Sequence, residues 1–125
     1  LPIICVDIVI KDLNGSILLI KRKNEPLKGE WWVIGGRIYH GENVIHAAKR
    51  KVLEEVGIEI DLLDFIGYYE DKYDKNFFQE DCVYHTISLV FETKINRIPQ
   101  VILDKQSTHW KWASNLPDRF RVNTL

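Results

Sequence analysis

The sequence predicts an α+β domain, a mixed sheet with one long helix laid against it. Two observations carry that expectation. Several apolar, β-branched runs of strand length are separated by turn-forming residues, and one segment, Glu42 to Val56, repeats its apolar residues at spacings of three and four. With 125 residues, 46% of them hydrophobic, the chain can build one compact core and not two, so residues 1–125 are expected to form a single domain.

Ile3 to Ile10 is an almost unbroken apolar run and reads as a central strand. Asn14-Gly15 is a turn signal, which makes Ser16 to Arg22 the returning strand of a hairpin. Pro26 and Gly29 mark Asn24 to Glu30 as a loop. Trp31 to Ile38 is a further strand, expected to break at Gly35-Gly36. Along the helix Val44, Ile45, Ala48, Val52 and Val56 line one face, and Gly57 stands where a left-handed C-cap belongs. Ile58 to Tyr69 and Val83 to Phe91 read as two long strands, with the acidic, aromatic stretch Glu70 to Asp81 as a loop between them. Val101 to Leu103 and His109 to Ala113 read as short edge strands, and Asn115-Leu116-Pro117 as the entry to a C-terminal helix.

The formal net charge of −1 provides no basic field for nucleic acid or an anionic membrane, and no apolar run approaches the ~20 residues of a bilayer span. Cys5 and Cys82 both lie in apolar stretches, so no disulfide framework is expected and a reducing cytoplasm fits. The chain contains no methionine and opens at Leu1, which reads as a segment trimmed from a longer protein.

The chemistry concentrates between Gly35 and Ile58. A Gly-Gly pair leaves a strand, and the helix that follows carries acids at Glu42, Glu54 and Glu55. Carboxylates together with a closely approaching glycine carbonyl make a hard-oxygen site suited to magnesium or manganese shared with a diphosphate. By chemistry alone a solvated helix with the i,i+4 pairs Arg50–Glu54 and Lys51–Glu55 would look the same, each pair contributing ~0.2–0.5 kcal/mol. The spacing favours the first reading.

Gly36 is followed after five residues by Glu42, and after seven more by Arg50; then come Lys51, Val52, Leu53, Glu54, Glu55, Val56, Gly57 and Ile58. This segment resembles the Nudix box, matching its specified positions at all but one. The family resemblance implies a Nudix fold, an α/β/α sandwich in which a mixed sheet packs against the box helix and a second, C-terminal helix. It also implies hydrolysis of a nucleoside diphosphate linked to another group, with Mg2+ (or Mn2+) as cofactor and Glu54 and Glu55 among the metal ligands. The mismatch is Lys51, which stands where the family has a glutamate that serves as metal ligand or base. An ammonium there implies fewer metal ions and a base supplied from elsewhere.

A second resemblance covers most of the chain. Asp7, Lys21-Arg22, Asn24, Pro26, Gly29, Gly35-Gly36-Arg37, Asp71, Tyr73, Asp74, Asn76-Phe77, Asp81, His85, Gln106 and Trp112 are similar to positions of the GDP-mannose mannosyl hydrolases, atypical Nudix enzymes that also lack that glutamate. The resemblance implies release of free sugar and GDP by substitution at the sugar carbon. The Gly35 carbonyl, Glu55 and Gln106 would hold one magnesium with diphosphate oxygens. Arg22 and Arg37 would act on the phosphates as catalytic and binding groups, Asp7 would contact the sugar or base, and His85 is a further candidate substrate contact. The branch has its catalytic histidine directly after the glutamine, where this chain has Ser107; His109, two residues on, becomes the candidate base.

Several of these residues also have purely structural readings. Asp7 suits a buried salt bridge, Arg22 a strand end, and His85 a core histidine. The Tyr68–Tyr69–Tyr73–Phe77–Phe78 cluster could stack a base, pack internally or line an interface, and a homodimer is the favoured expectation. Two other functions compete with the nucleotide-sugar hydrolase: a conventional pyrophosphatase for ADP-ribose or nucleoside triphosphates, supported by Glu54, and a nucleotide-binding protein without catalysis, suggested by Lys51 and Ser107.

Overall fold

The structure is a computed structural model that describes residues 1–23, 28–73, 84–96 and 109–124. Among the described residues the chain forms β1 (Ile3–Lys11), β2 (Ile17–Lys21), β3 (Trp31–Trp32), β4 (Ile34–Arg37), α1 (Val44–Val56), β5 (Asp64–Tyr73), β6 (Tyr84–Lys94) and β7 (Trp110–Ala113). The sheet runs β3-β2-β1-β6-β5, with β4 also paired to β1 and β7 to β2. β1 lies parallel to β6 along its whole length, from Ile3 opposite Thr86 to Lys11 opposite Lys94. All the other pairings are antiparallel, so the sheet is mixed as expected. Val6 to Ile10 are all buried, which is what an apolar run at the centre of a sheet predicts. The turn after β1 is closed by Asp12, whose Oδ1 accepts the backbone N–H groups of Asn14 and Ser16 at 2.9 Å each.

The third predicted strand breaks at Val33 and not at the glycines. β3 pairs with β2 while β4 pairs with β1, so Val33 is where the chain changes partner. Gly35 and Gly36 remain inside β4, opposite Asp7 and Val6.

One face of the sheet is covered by α1, which buries Ala47, Ala48, Val52 and Val56 against Val6, Ile8, Ile10, Leu18, Ile20, Ile34 and Phe91. Ile45, placed on that face by its spacing, is instead exposed. The helix starts at Val44, after an extended Asn43, and ends at Gly57, whose N–H donates to the Leu53 carbonyl at 3.0 Å.

The other face carries Val9, Ile17, Leu19, Trp32, Val33 and Val90, capped by Phe120. The helix expected after Asn115 is not formed in residues 115–124, so the described part of the fold has a helical layer on one side only. Phe120 donates its N–H to the Pro117 carbonyl in a turn, and its ring sits 5.4 Å from those of both Trp32 and Tyr69. Farther on, Asn123 and Tyr68 exchange backbone hydrogen bonds of 3.0 and 2.7 Å, which hold the segment extended against β5. Gly67 (φ 149°) permits this approach, because a Cβ there would lie 2.7 Å from Val122 Cγ1 and against the Asn123 carbonyl. Tyr69 is therefore an internal packing residue. Phe120→Ala is expected to lower the unfolding free energy by about 3 kcal/mol in a urea titration; a loss under ~1 kcal/mol would mean that the ring caps nothing.

β5 begins at Asp64, later than expected, and continues through Glu70 to Tyr73, read from the sequence as loop. Its register with β6 holds as far as Tyr73 opposite Tyr84, and ladder pairing overrides the polar composition. Residues 58–63 instead bridge from the helix, tucking Ile58 and Ile60 into the core. Val101 to Leu103 lies outside the described residues. No described helix is long and apolar enough to cross a membrane.

Candidate active site

The loop between β4 and α1 is fastened to the helix by a single guanidinium. Arg50 donates from Nε to Glu42 Oε2 at 2.7 Å and from Nη2 to Glu42 Oε1 at 2.9 Å, a bidentate pair. Nη2 also reaches the Arg37 carbonyl at 3.1 Å, and the group lies 4.0 Å over the Tyr39 ring. Glu42 in turn accepts the Tyr39 N–H at 3.1 Å and contacts His46 Nδ1 at 2.8 Å. Hydrogen bonding from Arg50 holds the Glu42 carboxyl down to about 2. Sequence spacing suggested only an Arg50–Glu54 pair, which exists but is longer, at 3.3 Å. Glu42 and Arg50 therefore position the loop that follows Arg37, at the end of β4.

One residue farther along α1, Lys51 turns toward the sheet. Its Nζ lies 2.9 Å from Glu55 Oε1 and 3.7 Å from Glu54 Oε2. Its stem runs over Gly36, where a Cβ would fall 2.5 Å from Lys51 Cε. The two acids differ in environment: the Glu55 side chain is 13% exposed and Glu54 is 48% exposed. Glu55 is thus drawn inward, while Glu54 faces water.

Gly35 lies beside Asp7 with no room for a side chain. A Cβ there would sit 2.6 Å from the Val6 carbonyl oxygen and would collide with Asp7 Oδ1. Asp7 itself is buried, and its Oδ2 takes no hydrogen bond among the described residues. Burial pushes its carboxyl up to about 7; Arg22 and a hydrogen bond with Ser88 pull it down, and Glu55 and Asp71 push it further up. The neighbouring Cys5 thiol is raised to about 11, chiefly by burial and by Asp7, with Arg37 and Arg22 acting the other way. The β1–β4 register sets Arg37 opposite Cys5 and Asp7 opposite Gly35, and Arg22 and Glu55 lie within electrostatic reach of Asp7. Arg22 is fixed there by its backbone, which accepts from Gly29 N–H and donates to the Glu30 carbonyl, both at 2.8 Å.

The raised Asp7 carboxyl has a consequence for stability. Below its ordinary value of 3.8 both folded and unfolded chains hold the proton; from there to about 7 only the folded chain does, so stability falls as pH rises. Asp7→Asn lacks that slope. Between about pH 4 and pH 8 the metal-free variant should gain roughly 4 kcal/mol on the parent in chemical denaturation. Parallel stability curves would show that the Asp7 carboxyl keeps an ordinary pKa.

The remaining predicted residues divide. His109 is exposed, and its carbonyl accepts the Lys21 N–H at 3.1 Å, which sets it next to the end of β2 that carries Arg22. His85 stands apart: it pairs with Glu70 Oε2, on the sheet face shared with Ile87 and Leu89, whereas Asp7 shares the other face with Ser88. Gln106 and Ser107 lie outside the described residues. Ser88 and Asp71 join the site without having been assigned to it; only the pairing of β1 with β6 and of β6 with β5 brings them there.

Among the described residues no group of three or more His, Cys, Asp or Glu side chains is arranged to hold a metal. The donors that are present, the carboxylates of Glu54 and Glu55 and the carbonyl of Gly35, are hard oxygens, and the carboxylates already attract the Lys51 ammonium. That donor chemistry fits a divalent cation such as magnesium.

A mixed sheet whose glycine-bearing strand lies beneath an acid-rich helix defines the Nudix class of fold. Residues 1–115 match the family described as NUDIX domain, and the chain belongs to that family. It is 33% identical over 95 residues to the low-salt glycan biosynthesis protein Agl8 of Haloferax volcanii, covering 76% of this chain and 60% of that one. It is 38% identical over 90 residues to an ADP-ribose pyrophosphatase of Methanocaldococcus jannaschii, covering 72% of this chain and 49% of that one. The chain therefore matches about half to three fifths of the length of these relatives. Among solved structures it is similar to a MutT NUDIX hydrolase from Burkholderia pseudomallei, at 25% identity and a TM-score of 0.78 over 97% of this chain and 91% of that one.

Proposed function

We propose that this chain is a magnesium-dependent hydrolase of a nucleoside diphosphate sugar. The observation that carries the reading is the β1–β4 register, which sets Arg37 opposite Cys5 and Asp7 opposite Gly35, with Arg22 and Glu55 within electrostatic reach of Asp7. Two guanidinium groups suit the two phosphates of such a substrate, and a buried carboxyl suits the hydroxyls of a sugar or the edge of a base. The residue pattern similar to GDP-mannose mannosyl hydrolases supports the sugar, as does the likeness to a Haloferax relative named as a glycan biosynthesis protein.

Glu55, the Gly35 carbonyl and Gln106 would hold the magnesium, with Glu54 at its edge. The ion, when bound, supplies Lewis-acid stabilisation of the diphosphate. Arg22 and Arg37 bind the same oxygens and take up the charge that grows on them as the bond breaks. Asp7 orients the sugar or base. His109, next to the Arg22 end of β2, takes the proton from the attacking water. Water then adds to the sugar carbon, the carbon–oxygen bond to the diphosphate breaks, and free sugar and nucleoside diphosphate leave.

A second reading has a specific observation in its favour. Glu54 is retained, and the Methanocaldococcus relative is named as an ADP-ribose pyrophosphatase. In that reading water attacks phosphorus instead. Incubation with magnesium and a panel of nucleotide sugars and dinucleotides, followed by product identification, separates the two. Free sugar with nucleoside diphosphate is the expected result; sugar phosphate with nucleoside monophosphate would replace the first reading by the second. Tight binding of nucleotide without turnover under any divalent metal would reject both.

A further inference from the structure

We propose that Lys51 is a resident cation of the Glu54–Glu55 pair: its ammonium stands in for a second divalent ion and limits the helix to one. The proposal rests on the metal-dependent reading above. Three observations support it. Nζ lies between the two carboxylates, 2.9 Å from Glu55 and 3.7 Å from Glu54. The stem is laid on the bare backbone of Gly36, where any side chain would overlap Cε and Cδ, so β4 leaves room for the lysine along its length. Lys51 is 19% exposed, and its nearer partner Glu55 is 13% exposed.

A solvated i,i+4 pair would look different, with both side chains extended into water and weakly held. Here the glycine gap and the inward turn of Glu55 give the ammonium a defined place. Arg50 also reaches Glu54, at 3.3 Å from Nη1, but its Nε and Nη2 are held by Glu42 and the Arg37 carbonyl, so it is Lys51 that reaches in to the enclosed Glu55. Two carboxylates near one another attract divalent ions through their combined charge, and each unit of positive charge placed between them weakens that attraction. Lys51 supplies one such unit permanently. It balances the enclosed Glu55 when no metal is bound, so the site does not need metal in order to fold. A divalent ion that binds Glu55 must share it with the ammonium or push the ammonium aside.

The test is a manganese titration of the nucleotide-free protein, followed by the paramagnetic resonance signal of free Mn2+, together with melting in a chelator. Lys51→Gln keeps most of the stem and removes the charge. It should bind the first ion at least tenfold more tightly than the parent, and its melting temperature in chelator should fall and recover with metal. Lys51→Glu should bind a second ion per chain. Lys51→Arg keeps the charge and should follow the parent in both measurements. Affinity within threefold of the parent in Lys51→Gln, or one ion per chain in Lys51→Glu, would overturn the proposal, as would an arginine variant that behaves like the glutamine one. Metal-free hydrolysis of nucleotide sugars by the parent would sink the functional reading instead, and the titration keeps the two failures apart.

Discussion

Replacing Glu55 by glutamine is expected to lower turnover at least ~100-fold, a loss of about 3 kcal/mol in transition-state stabilisation. Glutamine preserves the length and shape of the side chain and removes its charge, so the change acts on the affinity for a hard cation and scarcely on packing. Of the two acids on this turn, Glu55 is the enclosed one and Glu54 faces water. Glu54→Gln should accordingly cost less. A chelator should abolish activity in the parent, and added magnesium should restore it. Turnover by Glu55→Gln within threefold of the parent would remove that residue from the site.

Gly35→Ala is expected to cost at least ~2 kcal/mol of stability, whereas Gly36→Ala should cost less than ~1 kcal/mol. The two glycines are neighbours in β4, yet a methyl group meets different things at each. At Gly35 it runs into Asp7 and comes within 2.6 Å of the Val6 carbonyl oxygen. That carbonyl belongs to β1, which is held between β4 and β6 and cannot retreat without disturbing both ladders. At Gly36 the methyl meets the outer carbons of Lys51, which can swing away. Urea unfolding of the two variants measures the difference. Equal losses would show that the approach of β4 to β1 at Asp7 is not fixed by the absence of a side chain at Gly35.

Much of this arrangement was readable from the sequence, and the parts that were not share a cause. The apolar run of β1, the Asn14-Gly15 turn, the period of α1 and its Gly57 cap are local signals, and each appears where it was expected. The Lys51–Glu55 pair is also local, since residues four apart on a helix are neighbours. What escaped depends on partners distant in the chain. The break at Val33 reflects a switch of pairing from β2 to β1, which no composition encodes. The acidic Glu70–Tyr73 stretch is strand because β6 extends beside it. Pro117 is a local sign of a helix start, but the chain there turns instead and places Phe120 against Trp32 and Tyr69, contacts distant in sequence. In the site, the glycine–carboxylate spacing identified the box. The reach of Arg50 back to Glu42 spans eight residues, beyond the i,i+4 pairs a helix pattern offers, and the contact of Ser88 with Asp7 exists only once the sheet has closed.

The parallel pairing of β1 with β6 also orders events on the ribosome. β1 is complete at Lys11, but its partner ends only at Lys94. At ~5–20 residues per second, translation leaves the first strand several seconds old before the second exists. The hairpin and β4 can cover one edge of β1 in that interval, while the opposite edge stays open along an apolar strand that other nascent chains could join. For this chain the period of greatest exposure to aggregation therefore comes during synthesis, and it closes when β6 arrives.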